Sequence, residues 1–252
     1  MHISIIDALE GLEALQGDWE AIYDADPQAH FFLSWPWMSG WLDVETPPCF
    51  ILAAKRHPSD RSYIAFLPLR LRVGFDEAQG FFNQLSFAGE GFCDYAGLLV
   101  RPEDEAEAVP AMARYIRQRM NWARLRMDNL MMSDERRQLF LSEFDKAAFT
   151  FEEINYFDAP SNIDHGVCPS IDLPGDWDAY LETLSANNRQ KVRRLLRKVE
   201  ASDTYRITLG GPETVERDLT VMLDFWRTKW AAKKGASTEP IKIGRASCRE
   251  RV

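Results

Sequence analysis

Cysteine is scarce and scattered. The four residues at 49, 93, 168 and 248 form no CxxC and stand beside no His pair at metal-ligand spacing. That excludes a disulfide-stapled secreted scaffold and a zinc ribbon. The four histidines (His2, His30, His57 and His165) are equally dispersed, with no partner at metal or triad spacing; each reads as surface or core packing. No run approaches the ~20 apolar residues that cross a bilayer, which argues against membrane insertion. The start MHISIIDALEGLE lacks the basic-then-apolar order of a secretory signal. Positive charge is also in deficit. Lys+Arg number 30 against Asp+Glu 39, a net charge of −9, which argues against whole-protein attraction to nucleic acid or an anionic membrane. A reducing cytoplasm is the simplest home for such a chain.

What the chain does have is a globular composition, with 46% hydrophobic and 27% charged residues. A 12% aromatic share with eight Trp points to large buried clusters.

Periodicity gives the elements. His2–Ile6 reads as an edge strand. Gly11–Asp24 carries Leu12, Leu15, Trp19 and Ile22 on one helical stripe. Ser34 can cap a second helix with Pro36 in its first turn. Phe50–Lys55 and Tyr63–Val73 read as strands, the second at an edge or bulge because Pro68 cannot donate to a ladder. Phe92–Val100 reads as a strand. Glu103–Met120 is a helix with an acidic start and a basic end. Trp122–Met127, Phe149–Phe157 and Cys168–Leu173 read as strands, and Asp134–Ala148 as a helix. Adjacent strands must pair antiparallel, so the fold class is α/β of the α+β kind with a mixed sheet, and a plain doubly wound parallel sheet is excluded.

After Pro174 the character changes. Trp177–Leu184 is a short helix, and Ser185 caps SANNRQKVRRLLRKVEA, with Val192, Leu195, Leu196 and Val199 on one stripe. A strand at Tyr205–Leu209, a GGPE turn and a helix from Thr214 to about Lys233 follow. Strand, turn and long helix also open the chain, a faint sign of one fold started twice. The expected organisation is residues 1–173 as a first domain, 174–242 as the start of a second, and 243–252 as a tail.

That tail, IGRASCRERV, resembles the translation of a short-read sequencing adapter: ATC GGA AGA GCG TCG TGT AGG GAA AGA GTG encodes all ten residues in frame. Without it Lys+Arg is 27 against Asp+Glu 38, a net charge of −11. On that resemblance the tail is expected to be non-native, and the chain a fragment whose authentic frame is interrupted after Lys242.

Several segments in order then carry a family likeness: the Trp19 helix, FFLSWPWMSGW, IAFLPLRLR, FCDYAGLLV, RLRMDNL, PSIDLPGDWDAYLETLSANNRQKVRRLLRKVE and LDFWRTKWAAKKG. Together they resemble the two-domain GNAT-type acyltransferases of the cellulose-biosynthesis-associated group, distant relatives of Fem-type aminoacyl transferases. The resemblance implies tandem GNAT-like domains with the second truncated, and acetyl-CoA or another acyl-CoA as cofactor of the full-length parent. It also implies a small-molecule or glycan-precursor acceptor bearing an amine or hydroxyl, in envelope or exopolysaccharide metabolism. The sequence departs from that family at the acyl-CoA loop, Arg/Gln-x-x-Gly-x-Gly/Ala, where backbone N–H groups at a helix N-terminus hold the pyrophosphate. No glycine here has Arg or Gln three positions before it, so the fragment is expected to be inactive. The alternatives are a Fem-like transferase using aminoacyl-tRNA and a non-catalytic binding module.

Asp94 and Tyr95 stand where the family carries an Asp-Tyr pair and are the catalytic candidates. Asp94 would orient or deprotonate an acceptor and Tyr95 donate a proton; the plainer reading is a turn carboxylate and a half-buried ring. Arg189, Lys191, Arg193, Arg194, Arg197 and Lys198 are the anion-site candidates. They would hold phosphates of CoA or a nucleotide-linked sugar, or tRNA under the Fem-like alternative; otherwise they form a solvated face on a helix whose stripe packs inward. Phe31, Phe32, Trp35, Trp37 and Trp41 read as core under the sheet, with a sugar-stacking platform as the alternative. Trp226, Lys229 and Trp230 share one helical side and resemble a W-x-x-K-W-type helix of the family. Ser34, Ser86 and Ser185 lack a nucleophile-elbow context.

Overall fold

Alternating strands in the first 130 residues build one six-stranded sheet in the computed structural model. The structure describes residues 1–7, 9–43, 49–78, 80–89, 93–153, 157–204 and 206–234. In chain order come β1 (His2–Ile6), α1 (Leu9–Glu13), α2 (Gln16–Ala25), a 3-10 turn at Phe31–Leu33, and α3 (Trp35–Asp43). Then follow β2 (Cys49–Lys55), β3 (Ala65–Asp76), β4 (Gly80–Phe87), β5 (Leu99–Val100), α4 (Glu105–Arg119), β6 (Arg124–Arg126) and α5 (Asp134–Leu141). The strand order is β1-β2-β3-β4-β6, with β5 also on β3. All pairs are antiparallel except β4 with β6, whose connection carries α4. The sheet is therefore mixed, as the adjacent-strand pattern requires.

The period of two sorts side chains onto two faces. Leu52, Leu67, Leu69 and Leu85 face a core closed by Val109, Met112 and Ile116 of α4 and Phe140 of α5. Ile51, Ala53 and Phe66 face the other way, onto Leu12 of α1, Trp19 and Ile22 of α2, and Met38 of α3. The Trp19 ring stacks on Phe66 at 4.8 Å between centroids, and its Nε1–H donates to the Leu33 carbonyl at 2.8 Å.

Several expectations are corrected. The helix expected at Gly11–Asp24 is two helices, parted where Leu15 N–H turns back onto the Leu12 carbonyl. Pro68 lies in β3, an interior strand opposite Ile51. It is tolerated there because the neighbouring chain is interrupted: β4 pairs up to Leu69, β5 begins at Phe66, and Ala88 N–H reaches the Pro68 carbonyl between them. The strand expected at Phe92–Val100 reduces to an Ala96–Leu130 bridge and β5. The helix begun at Asp134 ends at Leu141. Residues 149–153 and 168–173 form no strand.

The chain divides into two compact units, Met1–Glu153 and Ile154–Thr238; the change of character in the sequence falls later, after Pro174. The second unit contains β7 (Phe157–Asp158), β8 (Ile163–Asp164), α6 (Trp177–Thr183), α7 (Ala186–Glu200) and α8 (Val215–Lys234). Residues 206–209 are not a strand, and the expected tail at 243–252 lies outside the described residues. Asp176 caps α6 through Ala179 N–H at 2.8 Å, and Ser185 caps α7 through Asn188 N–H at 3.4 Å. Leu181 is the one buried side chain of this unit among the described residues.

Candidate functional site

Asp94 and Tyr95 lie on the irregular segment between β4 and β5. Asp94 is exposed and Tyr95 half-buried. The segment is fixed from both sides: Ala96 N–H donates to the Asn129 carbonyl and Met131 N–H to the Ala96 carbonyl, both at 2.8 Å. Asn129 takes a left-handed φ of 52°, a conformation Asn tolerates, and its side-chain Nδ2 donates to the Cys93 carbonyl at 3.1 Å. Gly97 lies at a close approach, where a Cβ would stand 3.3 Å from the Met131 carbonyl oxygen and 3.6 Å from His30 Nε2.

Around Tyr95 the chain assembles an aromatic wall. Phe32 meets Tyr95 edge-on at 6.0 Å and Trp37 at 5.1 Å, and Phe31 meets Phe32 at 5.5 Å and Trp37 at 5.4 Å. Phe31 is 61% exposed. The cluster read from FFLSWPWMSGW therefore splits: Trp35 joins the core against Trp19, the half-buried Trp37 packs against the edge of that core, and Phe31 is exposed. The Trp41 side chain lies outside the described residues. Trp37 Nε1–H donates to Cys93 Sγ at 3.2 Å. Burial pushes the Cys93 thiol up, the Trp37 donor pulls it down and the Asp94 charge pushes it up again. Cys93 is thus a protonated thiol at neutral pH rather than a nucleophile.

His30, read from sequence as packing, belongs to this site. Its ring packs edge-on to Phe32 at 6.2 Å and to Tyr95 at 5.9 Å. Neither ring nitrogen has a hydrogen-bond partner of good geometry, although the adjacent Ala96 backbone and the Asp26 charge favour the protonated ring. Burial outweighs both and holds His30 below its ordinary pKa, so the ring is neutral at pH 7. The Ser34 hydroxyl is likewise buried without a partner instead of capping α3. A half-buried neutral imidazole, a phenol and an exposed carboxylate beside exposed aromatic faces can stack a ring and hydrogen-bond its substituents. No sequence signal at His30 alone reveals this, because the β4–β5 segment that meets it is distant in the chain.

Two described helix starts, those of α4 and α8, are unsuited to the pyrophosphate of acyl-CoA. Glu103, Asp104, Glu105 and Glu107 crowd the start of α4, with Asp104 held by Arg56 through Nε and Nη2 at 2.6 and 2.7 Å. Glu216 and Asp218 occupy the first turn of α8. Carboxylates already complement those helix dipoles and repel a pyrophosphate.

Lys191, Arg193, Arg194, Arg197 and Lys198 of α7 are exposed, while Arg189 is half-buried with its Nε shut away from solvent. Arg189 reaches only backbone oxygens, Leu184 at 3.1 Å and Glu182 at 3.5 Å, and no carboxylate pairs with Arg189, Lys191, Arg193, Arg194, Arg197 or Lys198 among the described residues. The stripe does not pack inward: Leu195 is 58% exposed and nothing on α7 is buried. Trp226 is half-buried and Lys229 exposed on α8, and the Trp230 side chain lies outside the described residues. No group of three His, Cys, Asp or Glu among the described residues could hold a metal ion, and no described helix is long and apolar enough to cross a membrane.

Comparison with known proteins returns nothing. No protein-family model, no curated protein and no solved structure matches the chain.

Proposed function

We propose that the chain belongs to a GNAT-type acyltransferase and that its first unit holds the acceptor, a glycan precursor or other small molecule with an amine or hydroxyl. The observation that carries this reading is the half-exposed wall of Phe31, Phe32, Trp37 and Tyr95, with His30 and Asp94 at its edge. Sugars present flat C–H faces that stack on such rings, and Asp94 can accept a hydrogen bond from a hydroxyl or ammonium. An antiparallel run of strands followed by a helix and a parallel strand supports the family reading, as do the segments that resemble it. Acyl-CoA would supply the thioester that an acceptor attacks. The first unit contributes acceptor binding, in a cytoplasmic setting.

The test is tryptophan fluorescence of the 252-residue chain titrated with cellotetraose and, separately, with acetyl-CoA. Saturable quenching by the oligosaccharide, lost in Phe31→Ala, is expected, whereas any response to acetyl-CoA should be unaffected by that substitution. Oligosaccharide binding unchanged in Phe31→Ala, or no binding at all, refutes the acceptor site.

The unneutralised basic face of α7 favours a second reading, a Fem-like transferase that binds aminoacyl-tRNA. Gel-shift titration with tRNA decides it: salt-dependent binding that fails in Arg193→Gln supports tRNA, and no shift removes it.

A further inference from the structure

Two short runs, Arg70-Leu71-Arg72 on β3 and Arg124-Leu125-Arg126 on β6, repeat the same alternation. With a period of two, both put their arginines on one face of the sheet. The register makes the arrangement a grid: Arg70, Ser86 and Arg126 share one row, and Arg72, Gln84 and Arg124 the next. It lies on the face whose neighbouring part, at Ile51 and Phe66, is covered by α1 to α3.

Two of the four guanidiniums are held in place. With its amide oriented to satisfy both groups, Gln84 accepts from Arg72 Nε at 3.2 Å and Nη2 at 2.9 Å. Arg126 Nε donates to Asp128 at 2.7 Å. The other two meet no carboxylate among the described residues. Arg70 Nε is shut away from solvent with no acceptor, and the Arg70 charge reaches the Cys49 thiol in its own row. Arg124 lies over the Phe82 ring at 4.6 Å. That ring is itself laid across Gly74, where a Cβ would come within 2.5 Å of it. Stacking on a ring face holds a guanidinium while leaving its in-plane N–H groups available to an acceptor.

We propose that this face of the sheet binds a ligand carrying a diphosphate. Planar N–H forks match phosphate oxygens, and neither Arg70 nor Arg124 has a carboxylate among the described residues to balance its charge. Arg70 and Arg124 stand diagonally across β4, about 12 Å apart at their Cα atoms from strand spacing and rise. One phosphate meets one of them; a diphosphate, with two separated groups of oxygens, can bridge the two guanidinium heads across β4, whose Ser86 and Gln84 are themselves buried. The site is on the first unit.

Calorimetric titration of the 252-residue chain with inorganic pyrophosphate and with inorganic phosphate, at fixed ionic strength, tests the assignment. Pyrophosphate is expected to bind at least about tenfold more tightly than phosphate, and Arg70→Gln and Arg124→Gln each to weaken it about tenfold. Arg124 is exposed, so its variant reports on binding even if Arg70→Gln perturbs folding. Arg193→Gln on α7 should change nothing. As a second readout, pyrophosphate should slow iodoacetamide alkylation of Cys49 while leaving the exposed Cys168 unaffected. Flotation with vesicles carrying a polyprenyl diphosphate separates the sources: capture lost in Arg124→Gln assigns a lipid headgroup, and pyrophosphate binding without capture assigns a soluble ligand. The proposal is overturned if pyrophosphate does not bind, if its affinity survives both sheet substitutions, or if Arg193→Gln abolishes it.

Discussion

Arg136 and Asp26 meet fork to fork inside the first unit, Nη1 to Oδ2 and Nη2 to Oδ1, both at 2.9 Å. The side chains are 1% and 0% exposed. The guanidinium also donates to Glu105 at 2.9 and 3.2 Å and to the Leu98 carbonyl at 3.3 Å, and Asp26 accepts from Val100 N–H at 3.0 Å. One cation thus ties the C-terminal end of α2, the start of α4, the segment entering β5 and α5. Burial lowers the Arg136 pKa, but bonds to Glu105 and Asp26 outweigh it and raise it overall, so the charge is permanent.

Removing one partner should therefore cost far more than a surface ion pair. Arg136→Met leaves the buried Asp26 carboxylate without its cation, an expected loss of about 3–5 kcal/mol in urea unfolding. A loss under about 1 kcal/mol would show that water reaches the pair.

Trp19→Phe should cost about 2–3 kcal/mol, from a cavity beside Phe66 and a Leu33 carbonyl deprived of its donor. The same chemical unfolding experiment measures it.

His30 sets a pH dependence whose sign follows from its lowered pKa. Below about pH 6.5 the unfolded chain takes up a proton that the folded ring still refuses. Stability should fall as pH drops from there, until the pH passes below the folded value. The unfolding midpoint of the wild type, compared with His30→Gln between pH 5 and 8, should show this component vanish in the variant. An unchanged slope removes His30 as its source.

Asp94→Asn should unfold within about 0.5 kcal/mol of wild type, because the carboxylate is exposed. Under the acceptor reading it should still weaken oligosaccharide binding about tenfold by fluorescence titration. Loss of stability together with binding would make Asp94 structural.

Gly74→Ala must displace the Phe82 ring. A destabilisation of about 1–2 kcal/mol is expected, together with loss of the Phe82–Arg124 stack, seen as altered ring-current shifts.

The sequence by itself determined what local rules can carry. Periodicity fixed β1, β2, β3, α4 and α7 to within a few residues, Ser185 announced the α7 cap, and adjacent strands required a mixed sheet. It placed Asp94 and Tyr95 on one segment, and it displayed the alternation at Arg70-Leu71-Arg72 and Arg124-Leu125-Arg126 without revealing that β4 would set them in register. Tertiary structure decided the rest. Pro68 sits in an interior strand because a neighbouring chain leaves the sheet there, and Arg136 is buried because two distant carboxylates converge on it. Trp35 goes to the core while Trp37, two residues on, goes to the rim, because helix packing chooses the direction. Such outcomes depend on residues far apart in the chain, whose contacts no window of neighbouring side chains encodes.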